Sequence, residues 1–197
     1  MQEKNYLNKV FTIPNILSLI RLCLIPVIVV QYVVLQQYIV AAIITVISGL
    51  TDVLDGFIAR KYNMVTMLGK FLDPIADKVL VSTALILICA SIQVASKEIF
   101  SVVIAVCVAI ILARELIVSG FRIVAASSGL VLAADKLGKI KTVLQDAAIL
   151  VLAVSLGIEI DVVFYVGFGL LCAATLLTII SGINYFIKNV SAFKETK

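Results

Sequence analysis

Residues 52–77 read DVLDGFIARKYNMVTMLGKFLDPIAD, and the reading of the whole chain turns on this stretch. It holds four aspartates in two pairs, Asp52 with Asp55 and Asp73 with Asp77. Spacings of three and four residues put each pair on one face of a helix. Gly56 and Ala59 continue the face of the first pair, and Gly69 stands one turn ahead of Asp73. Pro74 suits a first helical turn and Asp73 its N-cap, so a short loop joins two helices whose carboxylates face each other at similar depth.

Outward from this stretch the chain is apolar. Of its 197 residues 62% are hydrophobic and 14% charged, and the mean hydropathy is +1.19. A soluble domain is about half apolar and a quarter charged, so the composition predicts an integral membrane protein, all-α and one domain over residues 1–197. A span needs about 20 apolar residues. Six stretches meet this: 16–35, 38–60, 74–93, 99–126, 141–157 (extendable from Ala134) and 162–187. Pro26 should kink the first. Ahead of it, Tyr6, Leu7, Val10 and Phe11 recur at helical spacing among Lys4, Asn5, Asn8 and Lys9, which predicts a short interfacial amphipathic helix over residues 1–14. Residues 1–10 are too polar for a cleaved signal.

Basic residues set the orientation. Lys4, Lys9, Arg60, Lys61, Lys70, Lys136, Lys139, Lys141, Lys188, Lys194 and Lys197 collect on one side; Lys97, Glu98, Glu159 and Asp161 mark the other. Both termini and the loops 61–73 and 127–140 are therefore expected in the cytoplasm. Cys23, Cys89, Cys107 and Cys172 stand singly in apolar runs, which favours packing over zinc or disulfide roles. There is no histidine, which excludes Ser-His-Asp and Cys-His catalysis.

A carboxylate in a span costs about 2.5–3.5 kcal/mol at the bilayer centre and less near the surface, and four converging anions repel one another. Divalent cations remove both penalties, since magnesium, manganese and calcium take hard oxygen ligands. Solvated charges at two helix ends are the plain alternative. A divalent-cation channel or transporter is another, disfavoured because the four aspartates cluster near one membrane face and nothing comparable marks the opposite half.

The pattern D-x2-D-G-x2-A-R-x8-G-x3-D-x3-D, filled by Asp52, Asp55, Gly56, Ala59, Arg60, Gly69, Asp73 and Asp77, resembles the signature of the CDP-alcohol phosphatidyltransferase family, whose architecture is likewise six spans after an interfacial helix. Thr12-Ile13-Pro14-Asn15, Arg21, Pro26 and Ala113-Arg114-Glu115 resemble the branch whose acceptor is glycerol 3-phosphate. The resemblance implies transfer of a phosphatidyl group from CDP-diacylglycerol to that acceptor with release of CMP, in a bacterial cytoplasmic membrane with the active site on its cytoplasmic side. It implies Asp52, Asp55, Asp73 and Asp77 as ligands of two divalent ions, Mg2+ or Mn2+, with Asp77 also the general base. Gly56, Ala59 and Gly69 would admit the nucleotide beside Asp52 and Asp55, and Arg60 would pair with its pyrophosphate. Relatives are commonly homodimers, so a second copy joins membrane lipids among the expected partners; nucleic acid does not.

An acceptor carrying a phosphate needs cations. Arg114 and Arg122, eight residues apart in the fourth span, and Lys139 and Lys141 at the fifth are the candidates. The alternative pairs Arg114 with Asp146 or Glu115 and extends Arg122, Lys139 and Lys141 to the surface. Serine, phosphatidylglycerol or inositol phosphate as acceptor stay open. Arg21, inside the first span, needs a partner of its own, and Gly167, Gly169, Ala173 and Ala174 form a small-residue patch read as helix packing.

Overall fold

A computed structural model describes residues 12–61, 66–94, 98–127 and 136–189. Every regular element among them is helical. The expected interfacial helix falls almost wholly in residues 1–11, outside the described residues. Two compact units divide within one helix, after Leu87, and each is described by itself.

The first unit opens with α1, Ile13–Val29, entered from an extended Thr12 with Pro14 in its first turn. There the missing N–H costs nothing, because no intrahelical acceptor exists for it. Pro26 removes the bond to the Leu22 carbonyl, yet the helix runs on. The irregularity comes one turn later, as a π-helical segment, Val30–Val34, in which the Leu35 N–H reaches the Val30 carbonyl at 3.1 Å. Gln36, at φ 51°, turns the chain into α2, Tyr38–Lys61.

Asn15, Ser18, Arg21, Ile25, Ile28 and Tyr32 form the buried stripe of α1, recurring every three or four residues as a helix face requires. On α2, Ala41, Ala42 and Ser48 are buried, and their small size admits a close neighbour. Arg21, 1% exposed, donates from Nε to the Ser48 carbonyl at 3.1 Å. That carbonyl lies one turn before Asp52 and also accepts the Thr51 hydroxyl at 2.7 Å.

α3 spans Met67–Val94, beginning at Met67 and not at 74. Asp73 is therefore not its N-cap. Thr66 is: its Oγ1 accepts the Gly69 N–H at 2.9 Å, satisfying one of the donors a helix start leaves open. Pro74 lies inside the helix, where it frees the Lys70 carbonyl. A cap of correct chemistry followed by Met67, Leu68 and Lys70, good helix formers, outweighs the proline as a start signal.

The second unit continues α3 into α4, Glu98–Ser127, α5, Lys136–Ile158, and α6, Asp161–Asn189. Glu159, at φ 53°, makes the tight connection that sets α6 antiparallel to α5. At Gly167 the two helices approach closely: a Cβ there would come 2.9 Å from Leu152 Cγ and 3.1 Å from its backbone nitrogen. α4 runs parallel to α6. Phe100 meets Phe164 and Phe168 edge-on at 5.5 and 5.2 Å, and further along Phe121 meets Phe186 at 5.1 Å.

Among the described residues, five helical stretches have the length and apolarity to cross a bilayer: Asn15–Val34, Phe71–Ile92, Glu98–Ala125, Leu137–Ile158 and Asp161–Asn189. In α2 the apolar part, Tyr38–Gly49, is shorter, because the helix continues through Asp52, Asp55, Arg60 and Lys61. Val34, Ile86, Ile117, Val143 and Ile183 are exposed, as side chains are when hydrocarbon is the solvent. The protein is a multi-pass membrane protein.

Candidate functional site

The last turns of α2 carry Asp52, Asp55, Gly56, Ala59 and Arg60 on continuous helical backbone. Their side chains lie outside the described part of the structure. Asp73 and Asp77 lie one turn apart on α3, at the edge of its apolar stretch. Asp77 is exposed and Asp73 half-buried. Asp73 Oδ1 accepts the hydroxyl of Ser18, from α1, at 2.5 Å. Among the described residues no three potential metal ligands converge; Asp73 and Asp77 are a pair, and Asp52 and Asp55 supply no side chain to that count. The donors are carboxylate oxygens only, a set that suits a hard divalent cation and not a soft one.

Gly69, expected to make room for substrate, is buried beside Asn15. A Cβ on it would sit 2.6 Å from Asn15 Oδ1. The same oxygen accepts the hydroxyl of Thr66 at 2.8 Å. Helix α1 thus reaches the start of α3 at two levels, Asn15 at the cap and Ser18 at Asp73. Neither contact has a local signal in the sequence, since the partners stand 51 and 55 residues apart.

In the second unit, Arg114 Nη1 donates to Glu115 Oε1 at 3.1 Å and Nη2 to the Ser181 hydroxyl at 3.2 Å, while its Nε is buried without a hydrogen-bond partner. Lys141 Nζ binds the same Glu115 oxygen. The internal partner of Arg114 is thus Glu115. Lys141 does not extend to the surface: it is 2% exposed, held inside by a carboxylate on α4. Asp146 also acts on it through space. Arg122 donates from Nε to the Tyr185 hydroxyl at 3.3 Å, and its guanidinium carbon lies 5.4 Å from that ring's centre, within cation–π range. Arg122 and Lys139 are exposed.

The structure therefore brings Arg114 and Lys141 together around Glu115, with Ser181 from α6 completing the group. Two cations meet the Glu115 carboxylate, and Asp146 acts on Lys141 from further off. Gly138 and Gly182 flank Arg114; a Cβ on Gly182 would lie 3.3 Å from Arg114 Cγ. Arg122 stands two turns on, with Tyr185 as its platform. Ser181 and Tyr185 escaped sequence reasoning, being uncharged residues in an apolar span.

A family model described as CDP-alcohol phosphatidyltransferase matches residues 11–180. Over 94% of its length the chain is 38% identical to CDP-diacylglycerol--glycerol-3-phosphate 3-phosphatidyltransferase of Bacillus subtilis (strain 168), covering 99% of that protein. It is 39% identical to the protein of the same name from Rickettsia prowazekii (strain Madrid E), with 88% and 93% of the two chains covered. It is 36% identical to that of Shigella flexneri serotype 5b (strain 8401), with 89% and 93% covered.

Proposed function

The chain belongs to the CDP-alcohol phosphatidyltransferase family, and from that membership we propose that it transfers the phosphatidyl group of CDP-diacylglycerol to glycerol 3-phosphate, releasing CMP and forming phosphatidylglycerol phosphate. One observation carries the choice of acceptor: the three relatives above, 36–39% identical over most of the chain, bear the name of that enzyme. The basic residues of α4 and α5 support it, because the exposed cations Arg122 and Lys139 suit a phosphorylated acceptor.

The chemistry is a displacement at the phosphorus that bears the diacylglycerol. The acceptor hydroxyl oxygen forms the new P–O bond, the bond to the CMP phosphate breaks, and Asp77 takes the hydroxyl proton. In a chain without histidine a carboxylate is the base at hand. Asp52, Asp55, Asp73 and Asp77 would hold two divalent ions, Mg2+ or Mn2+. Ions held there would supply positive charge to the pyrophosphate and to the departing CMP. Ser18 fixes the carboxylate of Asp73 through its hydroxyl. Arg60 pairs with the pyrophosphate, while Gly56 and Ala59 leave space along α2 for the nucleotide. Arg114, Lys141, Lys139 and Arg122 bind the phosphate of the acceptor.

Lys61, Lys70, Lys136 and Lys139, near the ends of α2, α3 and α5, support an active site facing the cytoplasm, in a bacterial cytoplasmic membrane. Purified protein supplied with CDP-diacylglycerol and one acceptor at a time tests the reading. Product with glycerol 3-phosphate alone is expected. Product only with serine, phosphatidylglycerol or inositol phosphate overturns it.

A further inference from the structure

Two of the four cysteines are neighbours. Cys107 on α4 is buried and Cys172 on α6 half-buried, and the two thiols are close enough to act on each other. The register of the two helices independently puts the two residues at the same level. Arg114 meets Ser181 at a separation of 67 residues and Arg122 meets Tyr185 at 63; Cys107 and Cys172 fall between these values. The Phe100–Phe164 contact on one side of the pair, and Arg114–Ser181 on the other, pin the helices together around it. Cys23 on α1 is exposed and Cys89 stands on α3.

The surroundings decide which chemistry is open to the pair. Within a turn of one cysteine or the other along α4 and α6, Ile104, Val108, Ile111, Leu171 and Ala174 are buried, and both cysteines lie inside stretches apolar enough to cross a bilayer. Water-borne oxidants do not partition into such a place; neutral, lipid-soluble ones do. Two neighbouring thiols on parallel helices offer such a reagent both sulfurs at once.

We propose that Cys107 and Cys172 form a redox-active dithiol inside the membrane, which a neutral, lipid-soluble two-electron oxidant converts to a disulfide joining α4 to α6. Both S–H bonds break and one S–S bond forms. The sulfurs give up two electrons, and the oxidant takes these together with both protons. A lipid-soluble dithiol reductant reverses the change by supplying them again. The site is independent of the phosphatidyl-transfer reading, which uses neither cysteine.

Diamide, a neutral membrane-permeant azo oxidant that becomes the hydrazine, tests the proposal on the full-length protein in liposomes and in detergent micelles. After denaturation and alkylation, the four thiols should fall to two, and non-reducing peptide mapping should show Cys107 linked to Cys172 within one chain. Cys107→Ser and Cys172→Ser should each lose the link, while a Cys23→Ser/Cys89→Ser chain should keep it. Four alkylatable thiols after treatment in both media would overturn the proposal. So would a link through Cys23 or Cys89, or one between two copies.

Discussion

Ser18 on α1 and Asp73 on α3, 55 residues apart, share a 2.5 Å hydrogen bond in which the serine hydroxyl donates to Oδ1. One lone pair of a proposed metal ligand is thereby fixed by a neutral, fully buried residue. Outer partners of this kind commonly influence metal affinity or activity by 10–100-fold. Ser18→Ala should lower turnover by about that range and raise the Mg2+ concentration needed for half-activation, with thermal unfolding in detergent nearly unchanged. An unchanged metal titration would remove Ser18 from the ligand's support.

Asp77→Asn removes a base and a proposed ligand but keeps the shape of the side chain. A positioned base contributes about 10²–10⁴-fold, so CMP release should fall by at least that much while the protein elutes and unfolds as the parent does. EDTA should stop the parent's turnover, and added Mg2+ or Mn2+ should restore it. Turnover near the parent's in Asp77→Asn would show the base to lie elsewhere.

Lys141 and Glu115 separate acceptor binding from folding. Lys141→Met deletes the buried ammonium and leaves Glu115 with Arg114. Hydrogen bonds to charged groups are worth about 1.5–3 kcal/mol, so the KM for glycerol 3-phosphate should rise about tenfold to a hundredfold. Glu115→Gln instead strips the carboxylate from a lysine that stays buried, which costs about 3–5 kcal/mol in a fully buried pair and less here, because the Glu115 side chain is 26% exposed. Its first effect should be a lower unfolding temperature, read by the thermal stability of the purified protein.

Two glycines of α6, one residue apart from adjacent, should answer oppositely to alanine. At Gly167 the added methyl meets Leu152 on α5, including its backbone nitrogen at 3.1 Å, and overpacking of this kind costs about 1–3 kcal/mol. At Gly169 nothing lies within 4 Å, and alanine gains about 1 kcal/mol of helix propensity. Unfolding midpoints of the two variants should therefore move apart, Gly167→Ala down and Gly169→Ala up.

The helices and the reaction were legible in the sequence because both rest on local chemistry. Apolar length specifies a membrane helix wherever it occurs, since the bilayer demands that backbone groups bond within the segment. The eight signature residues fall within 52–77 at fixed spacings, so the family could be recognised without knowing a single tertiary contact. Even there the local rules conflicted at Asp73-Pro74, which has the form of a helix start. Thr66 won because its hydroxyl caps Gly69 and bonds to Asn15 as well.

What only the tertiary structure decided is which partner each buried polar group takes. Arg21 could have sought any anion, and one of its bonds goes to the Ser48 carbonyl. Arg114 and Lys141 could have reached the surface, and they share Glu115. In an apolar surround a charge must find a partner wherever packing brings one within reach. That reach is measured through space, across 26 residues of chain for Lys141 and 67 for Arg114 with Ser181, and no local pattern encodes it.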